Sequence, residues 1–290
     1  CIEGSHTFCY TEMVSGSPPL FREVVKMASE RIINMHAHIF PMKISEKAVG
    51  AIGDFYGIKM QIKGTPEYII EDGKTIGVEK YLVSSTATTA HQVQSINHFI
   101  AAEQTAHPEF IGFGSLHPEY EDIEGEIDRM LAMNLKGIKL HPDFQKFNID
   151  DEAAYPIYEA AQGRLPILFH TGDDRYEFSK PVRLYRVLEK FPKLIAIGAH
   201  LGGYRCWDEV GVYLGHPRLY IDTSSALMFL SPERAVEIIR QHGTDRVFFG
   251  TDSPMWRHKD ELERFYRLPL TPEERQKILS GNALKFFNLD

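Results

Sequence analysis

The 290-residue sequence predicts an α/β fold of the (β/α)8 type, the TIM barrel, from three observations. From Arg31 onward, short apolar runs alternate with stretches of helical periodicity, a pattern typical of parallel strands wrapped by helices. Eight such runs can be counted in the sequence. Several of them, such as 194–199, are apolar throughout, as expected of parallel strands that are buried on both faces. An open doubly wound sheet is the alternative, but no GxGxxG motif follows a predicted strand.

The predicted strands and helices alternate along the chain. The strands cover 31–38, 78–84, 110–116, 136–141, 166–170, 194–200, 219–223 and 246–251. Helices are predicted near 89–106, 121–133, 152–162, 181–190, 204–214 and 258–267. Two more should begin at capping sequences, Ser231-Pro-Glu and Thr271-Pro-Glu-Glu. Glycines should break the long connection from His38 to Val78 into short pieces, and this connection is a candidate lid.

Composition limits the partners and the compartment. The formal charge of −8 leaves no basic surface for nucleic acid. Because no apolar run approaches the roughly 20 residues of a membrane span, we expect a soluble protein. Three cysteines without a CxxC pair favour a reducing compartment, hence the cytoplasm. Residues 1–30, which lack the features of a signal peptide, are expected to be a loose N-terminal arm or partly a remnant of the expression vector, and residues 31–290 to form a single domain.

Histidine and aspartate side chains follow the predicted strands where each strand ends. His36 and His38 end the first strand, His170 the fifth, His200 the sixth, and Asp252 follows the eighth. A (β/α)8 barrel places its active site at the carboxyl ends of its strands. His36 and His38 are two residues apart and therefore share one face, where two imidazoles form half of a site for a divalent metal. Taken alone, this pair could equally be two hydrogen-bonded structural histidines, but the other three residues favour a metal site.

Together these motifs resemble the amidohydrolase superfamily, in particular the branch that contains aminocarboxymuconate semialdehyde decarboxylase and many predicted metal-dependent hydrolases. The resemblance runs from about Arg31 to the C-terminus. It rests on His36-x-His38, His170-Thr-Gly, Ala199-His-Leu-Gly-Gly and Gly250-Thr-Asp-Ser-Pro. It implies a TIM barrel of the metal-dependent hydrolase type, and barrels of this kind often form homodimers.

The resemblance also implies roles for the five strand-end residues. His36, His38, His170 and Asp252 become ligands of one divalent metal, with Zn²⁺ expected first and Mn²⁺ as the alternative. His200 either orients water and substrate or binds a second metal. Three imidazoles and one carboxylate leave a coordination position for water, and a bound metal lowers the pKa of that water toward 7. Asp252, beside this water, could carry a proton from it to the leaving group.

Further residues are candidates for binding a small anionic substrate. Lys139 stands where two-metal members of the superfamily carry a carboxylated lysine, but we expect a cationic side chain that pairs with a carboxylate or holds the substrate. His141 shares its strand parity with Lys139 and could line the pocket. Arg175 and Arg205 lie on loops at the predicted mouth, where arginine suits a carboxylate, although solvated loop charges are the simpler interpretation. Asp222 could either fix an imidazole or cap a turn.

Three functions remain open. The leading hypothesis is a metal-dependent hydrolase of a small amide, lactone or ester, with metal-activated water and Asp252 as the proton shuttle. The second is a metal-dependent nonoxidative decarboxylase of a small unsaturated or aromatic carboxylic acid, which would use the same ligands. The third is a non-catalytic metal-binding barrel.

Overall fold

The computed structural model describes residues 30–290, and in this range eight parallel strands form one sheet in chain order. The strands are β1 (Ile32–His38), β2 (Val78–Ser84), β3 (Phe110–Ser115), β4 (Gly137–Leu140), β5 (Ile167–Phe169), β6 (Ala196–Gly198), β7 (Leu219–Asp222) and β8 (Val247–Phe248). Helices separate them, so the predicted (β/α)8 barrel is confirmed. The predicted N-terminal arm lies, except for its last residue, outside the described residues.

The segment after β8 closes the barrel against β1. The backbone N–H of Asp252 donates to the carbonyl of His36 at 2.8 Å, and the N–H of His38 donates to the carbonyl of Ser253 at 2.7 Å. These bonds continue the parallel ladder beyond the two residues of β8. They also bring Asp252 directly beside the two histidines of β1.

The helices surround the sheet. They are α1 (Met42–Tyr56), α2 (Pro66–Lys74), α3 (Val93–Ala106), α4 (Ile123–Ala132), α5 (Pro142–Gln145), α6 (Tyr155–Ala161), α7 (Pro181–Lys190), α8 (Pro232–His242), α9 (His258–Tyr266), α10 (Pro272–Gln276) and α11 (Asn282–Phe287). Short 3-10 turns cover Ala90–Gln92, Glu152–Ala154, His200–Gly202, Val210–Val212 and Thr244–Arg246, and a π turn covers Lys277–Gly281. Within residues 30–290, no helix is both long and apolar enough to span a bilayer.

Both helix starts predicted from capping sequences are confirmed. The hydroxyl of Ser231 accepts a hydrogen bond from the backbone N–H of Arg234 at 3.2 Å. Thr271 and Glu274 form a capping box, in which each side chain accepts from the backbone N–H of the other, at 3.2 and 2.8 Å. Each contact satisfies a backbone donor that the first turn of a helix leaves free.

Two predictions of local structure are wrong. Residues 204–214 form no α-helix, because the backbone N–H of Tyr204 donates to the carbonyl of Thr171 at 2.7 Å and Arg205 has a positive φ of 59°. The connection after His38 is not broken at its first glycines, since α1 runs through Gly50 and Gly53. A Cβ on Gly53 would lie 2.8 Å from the carbonyl oxygen of Ile58, so this glycine permits the chain after α1 to fold back onto the helix.

A register shift in β1 lets consecutive residues face the inside of the barrel. Ile33 and Met35 pack in the cluster that fills the barrel, whereas Ile32 and Ala37 pack in the larger cluster between the strands and the helices. The pairing with β2 shifts between Asn34 and Ala37. A bulge of this kind re-aims side chains. Because of this shift, His36 and His38 face the inside of the barrel, and apolar residues fill the barrel below them.

We predict that Glu261 of α9 makes the protein less stable as the pH rises. Its carboxyl group is fully buried, and burial raises its pKa from 4.5 to about 8 although Arg264 opposes the shift. Between these pH values the folded state keeps a proton that the unfolded chain has lost, so the free energy of unfolding falls by up to about 1.4 kcal/mol per pH unit. In urea titrations from pH 5 to pH 8, Glu261→Gln should flatten this dependence. The exposed Glu263→Gln should not, and an equal slope in all three proteins would contradict the prediction.

Candidate metal centre

Three side chains that could hold a metal ion, those of His36, His38 and Asp252, converge at the carboxyl ends of β1 and β8. The Nε2 atoms of His36 and His38 lie 3.2 Å apart. One carboxylate oxygen of Asp252, Oδ1, lies 3.1 Å from Nε2 of His38 and 3.6 Å from Nε2 of His36. The ligand atoms of all three residues fall within 4.8 Å of one another. The structure therefore brings together three of the four residues that the sequence predicts as ligands.

The groups next to His36 and His38 suit the tautomer that a metal ligand requires, with the proton on Nδ1 and a free lone pair on Nε2. Nδ1 of His36 lies 3.0 Å from the carboxylate of Asp222, and Nδ1 of His38 lies 3.3 Å from the hydroxyl of Ser84. With a metal bound, a proton on each Nδ1 would satisfy these partners and leave the Nε2 lone pairs to the ion. Burial, with Lys139 next in size, lowers the pKa of His36 and so favours its neutral form. The donor set fits a divalent cation.

The fourth predicted ligand, His170, contacts His200, and His200 in turn contacts His36. Nδ1 of His170 lies 3.0 Å from Nε2 of His200, whose ring stacks 5.3 Å from that of His36. Burial lowers the pKa of His170 well below its ordinary value, and it lowers that of His200 to about 4. Both rings are therefore neutral near pH 7, as a metal ligand must be. Their separate roles as ligand and as orienting group stay predictions.

Asp252 carries a negative charge in this arrangement. Burial alone would raise the pKa of its carboxyl group, but the imidazole of His36, followed by the hydrogen bond to His38, holds it well below the ordinary value. The other carboxylate oxygen accepts a hydrogen bond from the hydroxyl of Ser225 at 2.6 Å. Both oxygens are thus fixed in position.

Unfavourable backbone conformations cluster around these residues. Positive φ angles occur at His200 (61°), Leu201 (52°), Arg205 (59°), Ser225 (50°) and Asp252 (58°), all in the loops after β6, β7 and β8. Each such angle costs a residue other than glycine roughly 1 kcal/mol or more. Such strain is typical of sites where side chains must be aimed at a common point.

Asp222 links three strands behind the metal-binding side chains. One of its oxygens faces His36, and the other accepts from the backbone N–H groups of His200 at 3.2 Å and Ser224 at 2.9 Å. Burial alone would raise the pKa of Asp222, but His36 lowers it below the ordinary value. The sequence suggests two roles for Asp222, fixing an imidazole and capping a turn. The structure shows a contact for each, with His36 and with the backbone N–H of Ser224.

We predict that Asp222→Asn weakens divalent-metal binding by about 10- to 100-fold, because the amide cannot hold His36 as a carboxylate does. Titration of the metal-stripped protein with Mn²⁺ measures the dissociation constant. Asp245→Asn, at an exposed carboxylate on the far side of β8, is the matched control. An unchanged dissociation constant in Asp222→Asn would show that its contact with His36 is not needed for binding.

Lys139 points into the same cluster but does not pair with a carboxylate as expected. Its Nζ lies 3.3 Å from Nε2 of His36, and no carboxylate oxygen in the described residues lies within 4.0 Å of it. Burial lowers its pKa to about 8, although Asp252 and Asp222 oppose the shift. Of the two roles expected for a cationic Lys139, the described residues therefore show no ion pair, because the neighbouring carboxylates are engaged by imidazoles and backbone N–H groups. Substrate binding and carboxylation of Lys139 stay predictions.

His141 is buried against His170 and Tyr56. Its ring stacks on that of His170 with centroids 4.0 Å apart and planes 8° apart, and its Nε2 lies 2.9 Å from the hydroxyl of Tyr56. Asp143, His141 and His170 form a second group of possible ligands. Lone pairs lie in the ring planes, so parallel rings do not aim at one point, and this favours a supporting role over a second metal.

Arg175 and Arg205 differ in whether the guanidinium already has a hydrogen-bonded carboxylate partner. Nε and Nη2 of Arg175 donate to the two carboxylate oxygens of Asp173 at 2.9 and 2.8 Å, so this guanidinium already has a carboxylate partner. Arg205 is at the rim, with Nε 3.8 Å from a carboxylate oxygen of Asp174 and its guanidinium over the ring of Phe229. Capture of a substrate carboxylate stays a prediction for both, and Arg205 is the less occupied.

Two residues that the sequence did not single out also contribute. Tyr56, at the end of α1, places its ring 6.2 Å from His170 and 5.5 Å from Tyr204. Asp143 has one oxygen 3.7 Å from Nε2 of His170, and burial raises its pKa to about 7. Tyr56 follows no strand directly, and Asp143 lies just beyond β4 with no motif that marks it, so the folded chain is needed to reveal their roles.

Comparisons with known proteins agree with this architecture. The sequence model of the amidohydrolase family matches residues 33–289. No curated protein matches the sequence significantly. A 5-carboxyvanillate decarboxylase from Sphingomonas paucimobilis is 16% identical with a TM-score of 0.69, over 90% of this chain and 100% of that one.

Two further solved structures have the same fold. A dihydroxybenzoic acid decarboxylase from Polaromonas, with bound manganese and the inhibitor 2-nitroresorcinol, is 17% identical with a TM-score of 0.68, over 89% of this chain and 97% of that one. An uncharacterised TIM-barrel protein from Bordetella bronchiseptica is 21% identical with a TM-score of 0.70, over 89% and 98%. At these identities the likeness demonstrates a shared fold alone.

Proposed function

Because this chain belongs to the amidohydrolase family, we propose that it is a metal-dependent nonoxidative decarboxylase of a small aromatic carboxylic acid. The observation that carries the proposal is a group of aromatic rings, from Tyr56, His141 and Tyr204, that contacts His170 and His200 next to the cluster of His36, His38 and Asp252. Such a group of rings suits a planar aromatic ligand. Similar folds in decarboxylases of 5-carboxyvanillate and dihydroxybenzoic acid support the same choice.

His36, His38 and Asp252 would hold the metal, with His170 as a further ligand. When bound, Mn²⁺ or Zn²⁺ would supply a positive charge that binds the substrate's oxygen atoms and stabilises the negative charge of the reaction. Lys139 adds a second positive charge at the same place when it is protonated. An anionic substrate therefore fits the charge of this pocket.

Decarboxylation also requires a proton. The bond between the ring carbon and the carboxylate carbon breaks, its electron pair stays on the ring carbon, and a proton replaces the departing carbon dioxide. We propose that the Asp252 carboxylate first takes up a proton from solvent and then delivers it to the ring carbon, since this carboxylate lies among the ligands. His200, whose Nδ1 lies 2.9 Å from the carbonyl oxygen of Ser224, keeps a fixed orientation and would align the substrate.

Hydrolysis of an amide, lactone or ester is the second candidate. Asp252 beside the metal-binding histidines could equally carry a proton in a hydrolytic reaction, which is why the sequence favours hydrolysis. The solved structures described above favour the decarboxylase instead. The two reactions differ in their products, so they can be separated directly.

The proposal is tested with metal-stripped and reconstituted protein. Replacing the nitro group of 2-nitroresorcinol with a carboxylate gives 2,6-dihydroxybenzoate, which heads a panel of hydroxybenzoates and methoxylated hydroxybenzoates. We expect the Mn²⁺- or Zn²⁺-loaded protein to release carbon dioxide from at least one of them and the stripped protein to release none. Hydrolysis of amide or lactone probes, with no release of carbon dioxide from the panel, would overturn the proposal.

A further inference from the structure

The end of helix α1 reaches into the proposed substrate pocket. Tyr56, its last residue, places its ring within 6.2 Å of the ring of His170 and within 5.5 Å of that of Tyr204. Phe55 beside it packs edge-on against Phe144, with centroids 4.7 Å apart. The connection after β1, a candidate lid by its length, therefore reaches His170 and Tyr204 through Tyr56.

The hydrogen bonds of His141 leave the Tyr56 hydroxyl free to donate. The backbone N–H of Phe144 donates to Nδ1 of His141 at 3.4 Å, so the ring proton of a neutral His141 lies on Nε2. That proton points to the phenolic oxygen of Tyr56, 2.9 Å away. Tyr56 thus accepts from His141, and within residues 30–290 its own proton has no other acceptor.

Arg175 fixes the end of α1 in this position. Its Nη1 donates to the backbone carbonyl of Phe55 at 2.6 Å, and its guanidinium lies 4.6 Å from the centre of the Phe55 ring and 5.4 Å from that of Tyr56. Two hydrogen bonds to Asp173 anchor the same guanidinium to the loop after β5. The arginine therefore ties the lid to the rim of the barrel.

We propose that Tyr56 is a specificity-determining residue, whose phenol donates a hydrogen bond to a ring hydroxyl of the aromatic acid while its ring forms one wall of the pocket. Arg175 is the positioning residue that holds Tyr56 there. The class of ligand rests on the proposed function, but the geometry of the lid does not.

The test compares two ligands that differ in their hydroxyl groups, 2,6-dihydroxybenzoate and benzoate, by equilibrium binding to the Mn²⁺-loaded full chain. Tyr56→Phe should weaken binding of the dihydroxy acid by about three- to tenfold, the effect of one hydrogen bond, and leave benzoate binding unchanged. Tyr68→Phe, at a half-exposed tyrosine of α2, should change neither. Equal effects on both ligands, or none, would overturn the role of Tyr56.

The tether is tested by Arg175→Gln, with Arg186→Gln at an exposed arginine of α7 as the control. Arg175→Gln should reproduce the selective loss of dihydroxybenzoate binding and should speed amide hydrogen exchange in the last turn of α1. Unchanged exchange there would overturn the tether. If the wild-type protein bound neither acid, the proposed function would fall as well, whereas binding of both without a Tyr56 effect would remove only the role of Tyr56.

Discussion

Replacing Asp252 with asparagine is expected to reduce decarboxylation by about a thousandfold or more. The amide can still occupy the same space beside His36 and His38, but it cannot carry a proton, and proton transfer by a positioned group contributes about 10²- to 10⁴-fold. The rate should be measured with saturating Mn²⁺, and the metal content of the variant should be determined in parallel. A variant that retains its metal but not its turnover would identify proton transfer as the lost step.

Asp245→Asn serves as the matched control for this substitution. Its carboxylate is exposed and pairs with Lys277 at 2.7 Å. Asp245 precedes β8, whereas Asp252 follows it, and Asp245 contacts none of the candidate ligands. This control should keep the rate of the parent protein. Full activity of Asp252→Asn would show that Asp252 is not the proton donor. His200 and Lys139 would then be the next candidates for that role.

Replacing His38 with asparagine is expected to weaken metal binding by more than about 100-fold, the upper range for loss of a group that only supports a ligand. His38 contributes one of the three converging ligand atoms, and its side chain is 15% exposed, so the exchange should leave the barrel folded. Decarboxylation at micromolar Mn²⁺ should then be lost, and high Mn²⁺ should restore part of it.

Mn²⁺ titration and thermal unfolding, measured on the same samples, separate loss of the site from loss of the fold. His91→Asn, at an exposed histidine beside α3, should behave as the parent protein in both measurements. If His38→Asn bound Mn²⁺ as tightly as the parent, the metal would have to be held elsewhere, for example by His170 and His200 with Asp252.

The sequence predicts that His36, His38 and Asp252 lie together because strand geometry is local. The spacing of His36 and His38 fixes their common face, and the position of Asp252 after an apolar run places it at the same end of the barrel. The register shift in β1, which lets Met35 and His36 both face inward, has no such local signal. It depends on how β1 pairs with β2.

The contacts of the lid could not be predicted for a related reason. Tyr56 and Arg175 are separated by more than a hundred positions in the chain, and their approach depends on how the end of α1 packs against the loop after β5. The predicted helix at 204–214 failed because hydrogen bonds from neighbouring loops outweigh local periodicity. The sequence is sufficient to predict the position of a side chain that is set by its own strand. It is not sufficient where contacts with another loop set that position.

The most direct test of decarboxylation follows the fate of the substrate's carbon atoms. The Mn²⁺-loaded protein is incubated in deuterium oxide with the hydroxybenzoate that it consumes fastest, and the product is analysed by mass spectrometry and NMR. We predict equal amounts of carbon dioxide and phenolic product, with a single deuterium on the carbon that carried the carboxylate. If the protein instead hydrolysed an amide, lactone or ester probe and released no carbon dioxide from any hydroxybenzoate, the proposed function would be contradicted.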